Sequence, residues 1–167
     1  AGDQFMLRTA YQQAIDRYET ADDWYPAYGD VAYNLTLAAR RIGSLDQVRE
    51  YVDHALEMRP YDVRPMVLKA QIQLQDDERL KALETARQAV DAYPNDARAQ
   101  RMTISALDLL SRFDKAVEQG ESFLERNPPD DDKIRTHQML GDLYKEMFKK
   151  PALAKEHYEK ALELLDQ

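Results

Sequence analysis

The chain has 167 residues, a formal net charge of −8 and no cysteine. The lack of cysteine excludes disulfides, thiolate metal sites and thiol catalysis. The acidic balance argues against binding to nucleic acid or to an anionic membrane surface. No run of about 18 apolar residues occurs, so no segment is predicted to insert into a membrane. A charged fraction of 32% with only five glycines favours an all-helical protein.

The first predicted element is a helix over about 4–21 that ends before a proline. This proline belongs to a series with a constant spacing of 34 residues: Pro26, Pro60, Pro94 and Pro128. Proline ends a helix because it has no N–H and disfavours helical dihedrals at the preceding residue. Five residues before the first three prolines stand Ala21, Ala55 and Ala89. A period of this length is typical of repeat architectures built from small helical units.

Each later unit also has a first helix, which precedes the one that stops at the proline. In the unit after Pro26, an apolar stripe leads to Gly43 and Ser44, which offer a helix end and a turn. We predict helical hairpins over about 30–57, 62–92, 96–126 and 133–165. The corresponding units of one repeat domain are a partial repeat, 1–26, and repeats over 27–60, 61–94, 95–128 and 129–167.

The last unit contains the best-formed copy of a known signature. It has Leu140, Gly141 and Tyr144 in the first helix and Ala154, Tyr158 and Ala161 in the second. The chain thereby resembles the tetratricopeptide repeat family. The resemblance covers nearly the whole chain and implies an all-α, right-handed α-solenoid of about four and a half antiparallel helical hairpins. Lys69 and Gln73 depart from the signature, so we expect the first helix of their unit to be rotated or loosely packed.

No pattern of catalytic residues is visible in the sequence. His54, His137 and His157 match neither a zinc-binding helix motif nor a catalytic triad, and we interpret them as structural or solvent-exposed. Three aspartates over 130–132 could bind a cation, but they lack the glycine and distal glutamate of a calcium loop. We interpret them as a helix start, where acids favour the helix dipole. The sequence predicts no enzyme, no metal and no cofactor.

The resemblance implies that the first helix of each pair lines a concave groove. One repeat-related position reads Asp30, Arg64, Arg98 and Arg135. Arginine in a first turn opposes the helix dipole, so its repetition in an acidic protein indicates a binding function. The alternative is ion pairing with nearby acids such as Asp62 and Asp96. The predicted groove residues are Tyr33, Leu37, Arg40, Arg64, Val67, Arg98, Arg101 and Arg135.

The resemblance implies a protein-interaction scaffold that binds a protein or peptide segment, acidic in view of the arginines. A structural spacer or self-association module is the alternative. Because the repeat frame puts residue 1 inside a helix, we expect a piece of a longer protein. We expect a cytoplasmic or periplasmic soluble segment of a membrane-anchored bacterial secretion or envelope-assembly component. Trp24, Tyr25 and Tyr28 are interpreted as packing at a hairpin junction, with an exposed partner patch as the alternative.

Overall fold

The computed structural model describes residues 2–24 and 29–166. These residues form nine α-helices and no strand. The helices are α1 Gly2–Trp24, α2 Gly29–Ile42, α3 Leu45–Met58, α4 Val63–Gln75, α5 Arg79–Ala92, α6 Ala97–Leu109, α7 Phe113–Glu125, α8 Asp130–Glu146 and α9 Pro151–Leu165. The predicted all-α class is confirmed, and the helices from α2 onward follow the predicted hairpins closely. The largest difference is at α8, which begins at Asp130 instead of 133.

The turn inside each hairpin uses a residue with a left-handed backbone. Gly43 has φ of +79°, and the same conformation occurs at Asp77, Ser111 and Lys149, with φ between 53° and 59°. The amide that follows each of the first three residues donates to a carbonyl five residues earlier, as in Ser44 to Ala39 at 3.2 Å. This arrangement closes the end of the helix. Only glycine adopts it without steric cost, so the later turns are held by the hairpins around them.

Prolines and aspartates together set the boundaries between successive hairpins. Pro60 and Pro94 follow the ends of α3 and α5 by two residues, as the sequence predicts. Asp96 then caps α6, because its carboxylate accepts from the amides of Arg98 at 2.9 Å and Ala99 at 3.1 Å. The boundaries after α3 and α5 therefore combine a proline that stops one helix with an aspartate, Asp62 or Asp96, that caps the next.

The chain divides into two compact units, one ending at Ile72 and the other beginning at Gln73. In the first unit, α1 packs against α2 and α2 against α3. Tyr51 of α3 also donates a hydrogen bond to Glu19 of α1. The core of this unit is formed by Ile15, Leu35, Ala38, Ala39, Val48, Tyr51, Val52, Leu68 and Ile72.

The second unit has its own apolar core, to which α5, α6, α7 and α8 contribute. This core consists of Leu83, Ile104, Ala106, Leu107, Ala116, Val117, Leu140 and Leu143. Within the unit α8 packs against α9, and the alanines of the repeat pattern are buried. Ala89, Ala154 and Ala161 are each at most 3% exposed. Small side chains at these positions let the helix backbones approach closely.

The first helix of the divergent repeat, α4, does not pack loosely. Seven of its residues are buried: Val63, Pro65, Met66, Val67, Leu68, Ala70 and Ile72. Lys69 places its ammonium group 2.8 Å from the carboxylate of Asp53 on α3, where it remains partly exposed. The expectation of loose packing is therefore wrong, because an ion pair replaces the apolar contact of the usual leucine. Gln73 is accommodated less well, since its buried Oε1 has no hydrogen-bond partner among the described residues.

Candidate functional site

Arg64 at the start of α4 is paired with two carboxylates of its own unit. Its Nη2 lies 2.6 Å from Asp30 Oδ1 and 2.6 Å from Asp62 Oδ2, and its Cζ lies 4.7 Å from the centre of the Tyr33 ring. Partial burial alone would raise the pKa of Asp62, but the hydrogen bonds and charge of Arg64 outweigh it and lower that pKa. The hydrogen bonds to Asp62 and Asp30 raise the pKa of Arg64. The charge of Arg64 is thus matched inside the chain.

Two of the predicted arginines in the second unit also pair with aspartates. Arg98 Nη2 lies 2.7 Å from Asp96 Oδ2, and Arg101 Nη1 lies 2.7 Å from Asp132 Oδ1. The second pair is the more buried, with side chains 19% and 25% exposed. Arg135 is exposed on α8. Ion pairing, the alternative explanation of the arginine column formed by Arg64, Arg98 and Arg135, therefore occurs at Arg64 and Arg98, and Arg101 outside the column is paired as well.

We expect Arg64→Glu to lower the free energy of unfolding by about 1–2 kcal/mol. The change removes charge-assisted hydrogen bonds and brings a third carboxylate toward Asp30 and Asp62, with partial screening by solvent. A glutamate in a first turn gains only a few tenths of a kcal/mol from the helix dipole, which is too little to compensate. Urea unfolding would measure the difference, with Arg87→Glu on an exposed part of α5 as the matched control. Equal midpoints for the two variants would contradict a stabilising role for the ion pairs.

Leu37 and Arg40 lie in a cleft of about 610 Å³ between α1 and α2. We call this surface the α1–α2 cleft; its lining consists of Tyr11, Ala14, Tyr18, Asn34, Leu37, Ala38, Arg40 and Arg41. Leu37 is 38% exposed and adds apolar surface to the cleft. No described residue forms an ion pair with Arg40 or Arg41. The cleft therefore combines apolar surface with two available guanidinium groups.

The other predicted groove residues of the first unit lie apart from this cleft lining. Tyr33 is half-buried beneath the guanidinium of Arg64, and Val67 is only 7% exposed. Sequence reasoning did not include Tyr11 or Tyr18 in the site. The partial repeat could have indicated them. Its single helix, α1, packs on α2, and this packing brings the tyrosines beside Leu37.

A second cleft, of about 240 Å³, lies between α6 and α8. This α6–α8 cleft is lined by Ile104, Ser105, Asp108, Met139, Asp142, Leu143, Glu146 and Met147. It has an apolar floor and three carboxylates, with no basic side chain in its lining. Burial raises the pKa of Asp108, and no described residue pairs with that carboxylate. The sequence did not predict this site, because its acids do not recur at one repeat-related position.

His137 of α8 and His157 of α9 form a close imidazole pair. Their Nδ1 atoms are 2.9 Å apart, so one neutral ring donates and the other accepts. Tyr144 stacks on His157 with 5.4 Å between ring centres. Burial, followed by the charges of His157 and Lys160, lowers the pKa of His137 to about 4. Burial and then Lys160 also lower the pKa of His157. At neutral pH the pair is uncharged and joins the two helices of the last hairpin.

The aspartates over 130–132 occupy the first turn of α8, as interpreted from the sequence. Asp130 accepts from Lys133 at 2.8 Å, and Asp132 pairs with Arg101. Across the described ranges, no three residues among His, Cys, Asp and Glu are grouped so as to hold a metal ion.

None of the described helices has the length and apolar character required to cross a bilayer. The predicted patch of Trp24, Tyr25 and Tyr28 lies outside the described side chains.

A family model described as tetratricopeptide repeat matches residues 134–164. This segment comprises most of α8, the turn after it and nearly all of α9. The last hairpin is similar to a tetratricopeptide repeat. The resemblance drawn from Leu140, Gly141 and the alanines of this hairpin is thereby confirmed. None of the curated proteins matches the chain.

Solved structures extend the likeness to the rest of the chain. A crystal structure of MamA has a TM-score of 0.78 and 20% identity, covering 99% of this chain and 95% of that one. MamA 41-end from Desulfovibrio magneticus RS-1 has a TM-score of 0.72 and 22% identity, with 99% and 97% covered. YrrB, titled a TPR protein with an unusual peptide-binding site, has a TM-score of 0.72 and 16% identity, with 93% and 78% covered. At these identities the structures show the tetratricopeptide repeat fold of this chain and no more.

Proposed function

We propose that this chain is a non-catalytic protein-interaction scaffold that binds a segment of a partner protein within a larger assembly. Tetratricopeptide repeats are in general protein-binding modules, and this supports a general protein-binding role. The peptide-binding site named for YrrB is consistent with such a role on the same fold. For the assembly, we propose a bacterial secretion or envelope-assembly component, which is what the resemblance implies.

The observation that supports this proposal most is the α1–α2 cleft. Its exposed Leu37 and half-buried Tyr11 and Tyr18 offer apolar contacts to a bound chain. Arg40 and Arg41 are exposed at its edge and have no carboxylate partner among the described residues. Arginine holds carboxylates through planar, bidentate hydrogen bonds, and aromatic and arginine side chains are frequent interface anchors. We therefore propose an acidic segment with apolar side chains as the ligand of this cleft.

The internal ion pairs support a ranking of the predicted arginines as contacts of the proposed ligand. Arg64 would have to leave Asp30 and Asp62 to bind a partner, whereas Arg40 would leave only water. Breaking a partly buried, hydrogen-bonded pair costs more than desolvating a surface guanidinium. We propose Arg40 and Leu37 as the centre of the site. Arg98, Arg101 and Arg135 remain proposed contacts of the second unit, of which Arg98 and Arg135 are exposed.

We expect the double variant Arg40→Glu/Arg41→Glu to bind an acidic peptide roughly tenfold more weakly, about 1.4 kcal/mol. The probes would be a fluorescent 14-residue peptide of Glu, Asp, Leu and Tyr and its counterpart with Lys in place of the acids. Fluorescence anisotropy would measure Kd, which should rise with salt because exposed charges are screened over about 8–10 Å. Arg87→Glu/Arg112→Glu, exposed on the second unit, is the charge-matched control.

Two results would contradict this site. One is equal binding of the acidic peptide by both double variants, which would show that overall charge and not the cleft determines affinity. The other is a Kd for the acidic peptide that does not change with salt, because the proposed contacts are between exposed charges. Circular dichroism should show the same helix content for all variants, because none of the four arginines is buried.

Self-association is the second candidate function, favoured by the exposed apolar surface of α9. Leu162 and Leu165, three residues apart on this helix, are 59% and 60% exposed. Sedimentation equilibrium over a hundredfold range of concentration would test it. A concentration-dependent mass that Leu162→Glu abolishes would support self-association over the scaffold role.

A further inference from the structure

The α6–α8 cleft has a chemical character opposite to that of the α1–α2 cleft. Three carboxylates, from Asp108, Asp142 and Glu146, surround an apolar floor, and no lysine, arginine or histidine is among the lining residues. Its volume of about 240 Å³ lies below the roughly 300–1,000 Å³ of ordinary small-molecule sites. The space fits one or two side chains of a bound segment better than a separate small molecule.

The carboxylates differ in how far their charge is compensated. Asp142 accepts a hydrogen bond from the Tyr158 hydroxyl at 2.6 Å, which fixes its position and leaves its charge in place. Glu146 Oε1 lies 3.3 Å from Lys145 Nζ, and the side chains of Glu146 and Lys145 are 53% and 62% exposed. Such exposed pairs contribute little. Asp108 is half-buried and has no pairing residue in the part of the chain that the structure describes.

An unpaired, partly desolvated carboxylate is unfavourable until a cation reaches it. Burial raises the pKa of Asp108, because removing the carboxylate from water disfavours its charged form. A lysine or arginine from a binding partner would relieve it by pairing with Asp108 at the cleft wall. The net charge of −8 also draws basic segments toward the chain. Charge complementarity therefore indicates a positively charged segment as the ligand of this cleft.

The apolar floor adds affinity and tolerance for different side chains. Met139 and Met147 line it together with Ile104 and Leu143, and Met147 is 46% exposed. Methionine has three rotatable bonds and a polarisable sulfur, so it adapts to bound side chains of varied shape. A leucine or phenylalanine of the partner could enter between the two methionines while neighbouring basic side chains contact the acids.

We propose that the α6–α8 cleft binds a basic segment of a partner protein, with an apolar anchor residue flanked by lysine or arginine. This inference rests on the proposed protein-binding function but concerns a different surface and the opposite ligand charge. The chain would then bind segments of opposite charge, an acidic one at the α1–α2 cleft and a basic one at the α6–α8 cleft.

The test uses the intact chain and two charge-neutralising substitutions, Asp108→Asn and Glu146→Gln, made together. The probe is a fluorescent 14-residue peptide of Lys, Arg, Leu and Ala, and its Kd is measured at 50 and 200 mM NaCl. We expect the double variant to bind roughly tenfold more weakly at 50 mM salt and to show a smaller salt dependence. Glu118→Gln/Glu125→Gln, on exposed positions of α7, removes the same charge elsewhere in the unit and should leave Kd within twofold.

The outcomes separate this inference from the proposed function. Loss of basic-peptide binding in Asp108→Asn/Glu146→Gln but not in Arg40→Glu/Arg41→Glu supports it, whether or not the acidic peptide binds. Equal losses in the cleft variant and its α7 control would overturn it, since only net charge would then matter. Saturable binding of Ca²⁺ alone that removes peptide binding would also overturn it. So would a dimer that the cleft variant dissociates, because the occupant would be a second copy.

Discussion

Replacing Gly141 with leucine is expected to destabilise the last hairpin by about 3 kcal/mol. A Cβ atom at this position of α8 would lie 2.5 Å from Cε1 and 2.8 Å from Cδ1 of Tyr158 on α9. The ring cannot easily move away, because its hydroxyl donates to Asp142 at 2.6 Å. The gain of about 1 kcal/mol in helix propensity over glycine does not offset overpacking of this size. Thermal and urea unfolding, followed by circular dichroism, would measure the loss.

A double-mutant cycle isolates this contact. Tyr158→Ala removes the ring, so adding Gly141→Leu to it should cost much less than Gly141→Leu alone, with a coupling of about 1–3 kcal/mol. Ala152→Leu on an exposed position of α9 is the control for adding a leucine without a clash. Additive effects in the cycle, or an unchanged melting temperature for Gly141→Leu, would show that the two helices do not approach closely at this point.

Acidification from pH 6.5 to pH 4 is expected to destabilise the last hairpin through His137 and His157. An unperturbed imidazole has a pKa of about 6.5, and burial lowers the pKa of both rings in the folded chain, that of His137 to about 4. Between these two pH values the unfolded chain binds more protons than the folded chain. The contribution of the two histidines to the free energy of unfolding is therefore fully present above pH 6.5 and is lost as the pH falls. Glu121, Glu156 and Lys160 face the pair, and the two acids reduce the effect.

The size of this acid effect follows from the pKa shift after allowance for solvent. A fall in the His137 pKa from about 6.5 to about 4 would correspond to about 3 kcal/mol, and solvent screening around the half-buried ring reduces this to about 1–2 kcal/mol. The melting temperature should fall by roughly 2–8 °C between pH 6.5 and 4. The double variant His137→Gln/His157→Gln should remove most of the decrease, whereas His54→Gln on α3 should leave it intact. The same pH dependence in the double variant would assign the effect to other groups.

The raised pKa of Asp108 provides an internal check on that experiment. A raised carboxyl pKa stabilises the folded state at low pH and loses this contribution as pH rises, which is opposite in sign to the histidine effect. In Asp108→Asn, the decrease in stability toward pH 4 should therefore be steeper than in the unmodified chain. A shallower decrease would contradict the assignment of the raised pKa to Asp108.

The sequence alone determined the repeat and its helices. Prolines at a spacing of 34 residues and alanines at helical spacing depend on local chemistry, since proline stops a helix wherever it occurs and small residues permit close packing. For the same reason Gly141 could be recognised as a contact point. The prediction of loose packing for α4 was wrong. Lys69 stands where the signature has leucine, and its ion pair with Asp53 on another helix replaces the missing apolar contact.

Only the tertiary structure decided which charged and titratable groups are available. The arginine column was visible as a pattern, but whether Arg64 faces a partner or Asp30 depends on where a residue 34 positions earlier is placed. His137 and His157 are 20 positions apart and meet only because α8 and α9 pack together. The acidic α6–α8 cleft likewise joins side chains from two helices with no shared register. Ion pairs, imidazole contacts and clefts depend on distances of a few ångströms across helices, which periodicity along one chain does not specify.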